Sequence, residues 1–401
     1  MRMVFLLLMV ISGCIDAAPG LTTSEHQRLS KVEQRIETGE FSNALQTLTL
    51  MEKNSVSATA FVISRQMLAR LYADKGQYQQ ALAALLAANK LQRLSSKQRD
   101  ELLLARAKLR YALAQWAKSA ALFEVLGWSK LTLSDQLMLG HSLLKLGRYP
   151  QAAKALSGLE KAQPPATEVQ LQWLLLARQK ALQSSQVERL LRKMLVAFPL
   201  RERYWLQLTQ HYQRRDDVSK ATTVLHSAYL QGVLKSEVAI RKLVGLLLQR
   251  GAPIQASEVI RSAITEKLLN DPRQDWQLLA KTQIIAKDYV AAQHTLEQAL
   301  RLSDNVINRK MLVSVLLYRQ HWQAAHEQLL LLAKDPMQAS SIELQLQLIS
   351  ASYHLDKIQQ ANKYLFQALS LAPQNSTLKQ WQSVLKPRRN DCNSTSVECT
   401  K

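Results

Sequence analysis

The sequence predicts an all-α solenoid of about ten helix pairs, from its composition and from one phrase that recurs along the chain. Only 11 of 401 residues are glycine and 10 are proline, while Leu, Ala, Gln and Lys, which favour helix, are abundant. The stretch KGQYQQALAALLAANKL, residues 75–91, places a glycine two residues before an aromatic residue and an alanine three residues after it. Repeats of this kind stack as one-dimensional arrays instead of forming separate globular cores.

The corner position of this phrase, occupied by Tyr78 in the stretch above, recurs ten times at intervals of 33 to 38 residues. It falls at Phe41, Tyr78, Trp116, Tyr149, Ser184, Val218, Pro253, Tyr289, Trp322 and Ile358. Three residues later the chain carries Ala44, Ala81, Ser119, Ala152, Val187, Ala221, Ala256, Ala292, Ala325 and Ala361. Nine of these ten residues are small, which predicts a close contact between two helices in each copy.

Each position of the phrase has a physical role in a helix pair. A glycine such as Gly76 lets the chain reverse between two helices, and the aromatic residue covers the apolar contact across the turn. The alanine allows the second helix to approach the first. Because one pair cannot bury its own apolar faces, neighbouring pairs must stack. Prolines that stop helices stand between pairs, at Pro199, Pro336 and Pro373.

The period and the pattern resemble the tetratricopeptide repeat (TPR). The best copy carries Trp205, Leu208, Thr209 and Tyr212, followed by Ala221, Leu225 and Ala228, which tracks W-x2-L-G-x2-Y…A-x3-F with threonine in the glycine position. The resemblance implies a TPR-like α-α superhelical solenoid over residues 24–385, with the copy near Ser184 the most degenerate. A basic, cysteine-containing tail is predicted at residues 386–401.

The N-terminus predicts export. MRMVFLLLMVISGC has Arg2 followed by nine apolar residues, Met3 to Ile11, which is too short to span a bilayer and is typical of a signal peptide over residues 1–18. Two processing alternatives remain open. Ile11-Ser12-Gly13-Cys14 resembles a bacterial lipobox and makes Cys14 a lipidation candidate, whereas ordinary cleavage would occur after Ala17. We therefore expect a periplasmic protein, anchored to the outer membrane under the first alternative.

Two cysteines, Cys392 and Cys399, remain in the tail NDCNSTSVECTK. Six intervening residues can close a small disulfide loop in an oxidising compartment. A metal site is the alternative, but it needs further His or Cys ligands, and the tail has none. We predict a disulfide that acts as a local staple.

Charge and motifs argue against nucleic-acid binding and catalysis. Lys and Arg number 52 against 31 Asp and Glu, a net charge of +21, yet the bases are scattered and only KPRRN forms a short cluster. The sequence contains no HExxH, no phosphate-binding loop ending in GK[ST], no GxSxG and no CxxC. We predict no enzyme activity, no catalytic residue, no cofactor and no metal site.

The TPR resemblance implies a concave groove lined by the first helix of each pair, which suits protein or peptide binding. The repeat register gives Gln66, Arg70, Lys108, Tyr111, Gln172, Arg203, Gln210, Arg241, Gln277, Lys281, Lys310 and Tyr353 as groove candidates. Acidic residues in these positions are few, mainly Glu101 and Glu343. The groove is therefore predicted to be basic and amide-rich, suited to an acidic or extended peptide. The alternative is that these charges are simply solvated.

A longer resemblance suggests a cellular role. YWLQLTQHYQRRDDVSKATTVLHSAYLQGVL and LVGLLLQRGAPIQASEVI are similar to exported TPR proteins of gammaproteobacterial TonB systems, with Gly232-Val233-Leu234 and Arg250-Gly251-Ala252-Pro253 as the shared turns. The resemblance implies a periplasmic accessory scaffold beside TonB, ExbB and ExbD. An outer-membrane lipoprotein scaffold for pilus, polysaccharide or murein assembly is the alternative.

Overall fold

The computed structural model describes residues 20–53, 56–88 and 95–394. All regular secondary structure within these ranges is helical, which confirms the predicted all-α class. None of the helices in these ranges is long and apolar enough to cross a membrane. The predicted signal peptide with Cys14 lies outside the described residues, as do Cys399 and the side chain of Cys392.

The chain divides into two compact units between Phe198 and Pro199. Five helix pairs make up the described part of the first unit. Their bounds are α1 (Thr23–Glu37) and α2 (Phe41–Lys53), α3 (Ala58–Asp74) and α4 (Tyr78–Ala88), α5 (Ser96–Ala112) and α6 (Trp116–Leu126), α7 (Leu133–Lys145) and α8 (Tyr149–Leu156), and α9 (Glu168–Lys180) and α10 (Ser184–Ala197). Within this unit each second helix also contacts the first helix of the next pair.

The second unit repeats this plan with five further pairs. Its helices are α11 (Glu202–Gln213) and α12 (Val218–Leu230), α13 (Glu237–Gln249) and α14 (Pro253–Thr265), α15 (Pro272–Ile285) and α16 (Tyr289–Leu302), α17 (Val306–Tyr318) and α18 (Trp322–Leu332), the short α19 (Pro336–Ala339), α20 (Ile342–His354) and α21 (Ile358–Leu371), and a final α22 (Ser376–Ser394). The described residues thus hold the ten predicted pairs, and α22 continues into the predicted tail.

All ten predicted corner residues are the first residues of the second helices, from Phe41 in α2 to Ile358 in α21. Two residues before each of them, the backbone adopts a left-handed conformation with φ between +54° and +78°. Glycine fills this position at Gly39, Gly76, Gly147 and Gly251, whereas the other six corners use Ala114, Leu182, Asp216, Lys287, Gln320 and Asp356. The left-handed residue is therefore the constant feature of the corner, and glycine is not.

Backbone hydrogen bonds fix each corner. At the second pair the N–H of Gly76 donates to the Ala73 carbonyl over 2.9 Å, and the N–H of Gln77 donates to the Tyr72 carbonyl over 2.7 Å. The corner before α16 is the same, with Lys287 donating to Ile284. This arrangement satisfies the last carbonyl groups of the first helix. It also sets the angle at which the second helix leaves.

The small residues of the second helices are buried, as predicted. Eight of the nine alanine or serine positions are fully buried alanines, Ser119 is also fully buried, and Val187 in the degenerate copy is 4% exposed. Interiors are close-packed, so a larger residue at such a position would have to displace its neighbours. The phrase therefore encodes both the turn and the contact that follows it.

The degenerate pair α9–α10 is held in part by charge. Arg178 of α9 is 2% exposed and donates two hydrogen bonds to Glu160, of 3.0 and 2.7 Å, in a bidentate pair. Arg189 of α10 donates to the same carboxylate over 3.3 Å. The hydrogen bonds from Arg178 are the main reason that the pKa of Glu160 lies below its usual range. Ionic contacts thus supplement packing where the alanine is missing.

Carboxylates near the start of several first helices reach the next pair. Glu25 of α1 accepts hydrogen bonds from the Ser57 N–H over 2.6 Å and its hydroxyl over 3.0 Å. Glu202 of α11 accepts from the N–H of Ser236 over 3.1 Å. Ser57 and Ser236 are the N-caps of α3 and α13. The acid in one repeat therefore fixes the helix start in the next.

We predict that Lys287→Gly stabilises the second unit by about 1 kcal/mol, because glycine adopts the left-handed conformation without the steric cost that other residues carry. Lys281→Gly, in the interior of α15, should destabilise it by about 1 kcal/mol. Urea denaturation followed by circular dichroism measures both. Changes of the same sign in the free energy of unfolding of the two variants would contradict the claim that Lys287 is strained.

We also predict an acid-dependent contribution from Glu25. The N–H groups of Ser57 and Thr22 lower the pKa of Glu25 to about 2, whereas an unfolded chain gives about 4.3. The charge therefore stabilises the fold fully above the unfolded pKa, and the effect is lost as pH falls toward 2. Glu25→Gln should lower stability by about 2 kcal/mol at pH 7.

Thermal melts of the wild type and Glu25→Gln between pH 7 and pH 2.5 would test this. The difference in melting temperature should be constant at neutral pH and shrink in acid. Glu37→Gln, which changes an exposed glutamate near the end of the same helix, is the control. A difference that grows on acidification would refute the assignment.

Candidate functional site

The predicted groove residues all lie on first helices of the pairs, as the repeat register requires. Gln66 and Arg70 lie on α3, Glu101, Lys108 and Tyr111 on α5, Gln172 on α9, Arg203 and Gln210 on α11, Arg241 on α13, Gln277 and Lys281 on α15, Lys310 on α17, and Glu343 and Tyr353 on α20. Their exposure differs widely, however. The helix assignment alone therefore does not decide which of them a ligand can reach.

In the first unit, two of the candidates are part of the packing. Gln66 is 5% exposed and Lys108 is 8% exposed. The Lys108 ammonium lies 3.0 Å from a carboxylate oxygen of Asp135, whose side chain is fully buried. Lys108 thus joins α5 to α7. Both it and Gln66 are buried, and their role in ligand binding stays a prediction. Arg70 is half-buried.

Asp135 explains why a lysine is needed there. Its other carboxylate oxygen accepts hydrogen bonds from the Thr132 N–H over 3.1 Å and the Thr132 hydroxyl over 2.7 Å, which cap α7. A buried carboxylate is stable only when it is paired and hydrogen-bonded. Lys108 supplies the positive charge from the preceding pair.

Tyr111 belongs to a cluster of four rings, which we call the ring cluster: Tyr111, Trp116, His141 and Trp173. The Tyr111 hydroxyl lies 2.8 Å from His141 Nδ1. Trp116 meets both rings edge-on at centroid distances of 5.3 and 5.4 Å, and His141 stacks on Trp173 at 4.3 Å. All four side chains are half-buried. The cluster joins α5, α6, α7 and α9 within one unit.

Burial lowers the pKa of His141, and the positive charge of Lys145 lowers it further. Burial also raises the pKa of the Tyr111 hydroxyl. Both effects keep the ring cluster uncharged at neutral pH. His141 and Trp173 were not among the predicted site residues, and the signal that could have found them is the recurrence of aromatic residues on successive first helices.

In the second unit, Arg241 is engaged by two carboxylates. Its Nε lies 2.8 Å from Glu237 on the same helix, and its Nη2 pairs with Asp275 of α15. Burial, which outweighs the neighbouring arginine, raises the pKa of Asp275. Arg241 thus connects α13 to α15, and its guanidinium is already paired with two carboxylates. The sequence did not indicate these ion pairs.

The exposed candidates of the second unit are basic or carry amides. Gln210, Lys281 and Lys310 are exposed, Gln277 is half-buried, and the only predicted acid of this set, Glu343, is also exposed. The exposed Arg203 lies over the Tyr204 ring at 4.8 Å and donates to its hydroxyl over 2.7 Å. Tyr353 is half-buried and meets Trp381 edge-on at 5.4 Å. Among the exposed candidates of this unit, Lys281 and Lys310 are the lysines, and no ion pair with a described carboxylate is found for either of them.

Histidines and acidic side chains were also compared for metal-ligand geometry in the parts of the chain that the structure describes. No group of three or more His, Cys, Asp or Glu side chains there could hold a metal ion. His321 is exposed at the start of α18, whereas His326 is 4% exposed, so the two histidines occupy different environments.

A comparison with known protein families finds a match within the first unit. A tetratricopeptide repeat model matches residues 63–93, which include the corner between α3 and α4. No curated protein is significantly similar to the sequence. Residues 63–93 thus carry a tetratricopeptide repeat.

Several solved structures are similar at low sequence identity. Naa15/Naa10 bound to HypK-THB is 12% identical over 93% of this chain and 67% of that chain, with a TM-score of 0.46. YrrB, a TPR protein with an unusual peptide-binding site, is 12% identical over 48% of this chain and 97% of its own, with a TM-score of 0.37. A TPR protein from Parabacteroides merdae is 14% identical over 65% of this chain and 100% of its own, with a TM-score of 0.36.

We predict that Lys108→Met destabilises the first unit by about 3–5 kcal/mol, because it leaves the buried Asp135 carboxylate without its partner. Urea denaturation monitored by tryptophan fluorescence measures the loss. Lys118→Met, which changes an exposed lysine on α6, should cost less than about 0.5 kcal/mol. Equal losses in the two variants would show that the ion pair does not stabilise the unit.

Proposed function

We propose that this chain is a non-catalytic periplasmic TPR scaffold that mediates protein–protein interactions as an accessory component of a TonB-dependent transport system. The coarser part of this proposal, an interaction scaffold, follows from the stacked helix pairs and the tetratricopeptide repeat at residues 63–93. The observation that carries the binding role is the pair of exposed lysines, Lys281 and Lys310, on first helices of one unit.

The partner surface that this face favours is an acidic or extended peptide. Lys281 and Lys310 are accessible. Arg241, on an earlier first helix of the same unit, has its charge balanced by Glu237 and Asp275. Exposed cations steer an acidic partner and fix its register more than they add to affinity. Gln210 and Gln277 supply amide groups that can pair with an extended backbone.

The periplasmic and TonB parts of the proposal are supported by sequence. Arg2 and the apolar stretch Met3 to Ile11 are typical of an export signal. The turns Gly232-Val233-Leu234 and Arg250-Gly251-Ala252-Pro253 resemble those of exported TPR proteins of TonB systems. TonB, ExbB and ExbD are accordingly the proposed partners.

A second candidate is an outer-membrane lipoprotein scaffold for the assembly of pilus, polysaccharide or murein. The observation that favours it is Cys14, preceded by Ile11-Ser12-Gly13 in a lipobox-like order. Acyl chains on this cysteine would anchor the protein stably, because two lipid signals suffice where one does not. Both candidates use the same first-helix face and differ in the partner.

In-cell photo-crosslinking from Lys281 and Lys310 separates these candidates. We expect probes at both positions to capture TonB, ExbB or ExbD, identified by mass spectrometry, and a probe at Glu258, exposed on second helix α14, to capture none of them. Lys281→Glu combined with Lys310→Glu should weaken capture from a probe at Gln277 because the charge complementarity is reversed.

Other outcomes are equally informative. Capture of pilus, glycan or murein machinery would replace the transport proposal with the second candidate. Crosslinks from Glu258 alone would show that the first-helix face is not the binding surface.

A further inference from the structure

The final helix α22 occupies the place of an eleventh first helix. It contacts α21 as α20 contacts α18, the second helix of the preceding pair. Leu378 and Leu385 of α22 are fully buried, and Trp381 meets Tyr353 of α20. Whereas α20 is also covered by its own second helix α21, the described residues hold no second helix for α22.

An open cleft of about 820 Å³ lies between α21 and α22. We call it the α21–α22 cleft. Its lining residues from α21 are Ile358, Gln359, Asn362, Leu365, Phe366 and Leu369, and those from α22 are Lys379, Gln382, Ser383 and Lys386. From Ile358 to Leu369 the cleft follows α21 for about 16 Å, or three helical turns.

The two walls differ in chemistry. On α21, Phe366, which is 74% exposed, and the half-buried Leu369 provide apolar surface. The amides of Gln359 and Asn362 line the same wall. On α22, the four lining residues follow the i, i+3, i+4, i+7 spacing of one helical stripe and include two lysines. Lys379 donates to the amide oxygen of Gln374, and no described carboxylate forms an ion pair with it or with Lys386. The cleft therefore offers exposed apolar surface on α21 and positive charge on α22.

We propose that the α21–α22 cleft binds an amphipathic α-helix of a partner protein, with an apolar stripe against Phe366 and Leu369 and acidic side chains against Lys379 and Lys386. The helical form of the occupant follows from the repeat, because a first helix elsewhere in this unit is covered by a second helix. The acidic character follows from charge complementarity with the α22 stripe. Binding of a helix in a groove uses anchors at this same spacing.

This site is distinct from the first-helix face that carries the proposed function. The cleft lies between a second helix and α22, whereas Lys281 and Lys310 lie on α15 and α17. The second unit can thus hold a helical partner at its end while an extended peptide occupies its first helices. An experiment that refutes binding at one surface therefore does not refute binding at the other.

The test uses a fluorescein-labelled designed peptide of three to four helical turns, with leucines on one face and glutamates beside them. A control peptide has lysine in place of every glutamate. Fluorescence anisotropy with the full chain should show saturable binding of the acidic peptide and at least about tenfold weaker binding of the basic one.

Two variants of the cleft should weaken binding of the acidic peptide. Phe366→Glu, at a largely exposed position, and Lys379→Glu with Lys386→Glu should each weaken the acidic peptide at least about tenfold. Lys363→Glu changes an exposed lysine on α21 outside the cleft lining, so it should leave binding of the acidic peptide unchanged. Circular dichroism confirms that each variant is folded.

Three results would overturn the proposal. One is absence of saturable binding, or binding that the cleft variants do not change. Another is a dimer in analytical ultracentrifugation that Phe366→Glu dissociates, which would assign the cleft to a second copy. The third is binding that occurs only after removal of residues 395–401, which would assign the cleft to the chain's own tail.

Discussion

One backbone conformation organises both units: the left-handed residue two positions before every second helix. Its φ lies between +54° and +78° at all ten corners. The hydrogen bonds beside it satisfy the last carbonyl groups of the first helix, and the second helix starts two residues later. The buried alanines lie on the first turn of that second helix. Stacking of successive pairs then depends on the shape of each pair.

The starts of the second helices could be predicted from sequence because the signal is local. An aromatic or apolar corner residue and a small residue three positions later locate nine of them, and at Ser184, where both are missing, the repeat spacing alone locates the helix start. Six left-handed corners could not be predicted, since residues as different as Leu182 and Asp356 occupy them. Hydrogen bonds and tertiary packing hold these residues in a conformation that their own preference disfavours.

The candidate site was predictable only in part. The repeat register placed every candidate on a first helix, because that register depends on helix geometry alone. It did not show that Lys108 and Arg241 are paired with Asp135 and Asp275, roughly one repeat further along the chain. Such pairs depend on how far a long side chain reaches across two stacked helices. The contact between His141 and Trp173 also joins two stacked first helices, so the sequence did not indicate it either.

The ion pair between Arg178 of α9 and Glu160, which precedes α9, depends on temperature differently from apolar packing. Apolar burial, which dominates the other pairs, weakens on cooling. At high temperature apolar stabilisation per unit area levels off, whereas the desolvation cost of a bidentate contact such as that between Arg178 and Glu160 continues to fall. In the last pair of the first unit, apolar packing is therefore joined by an ionic contact whose contribution grows on heating.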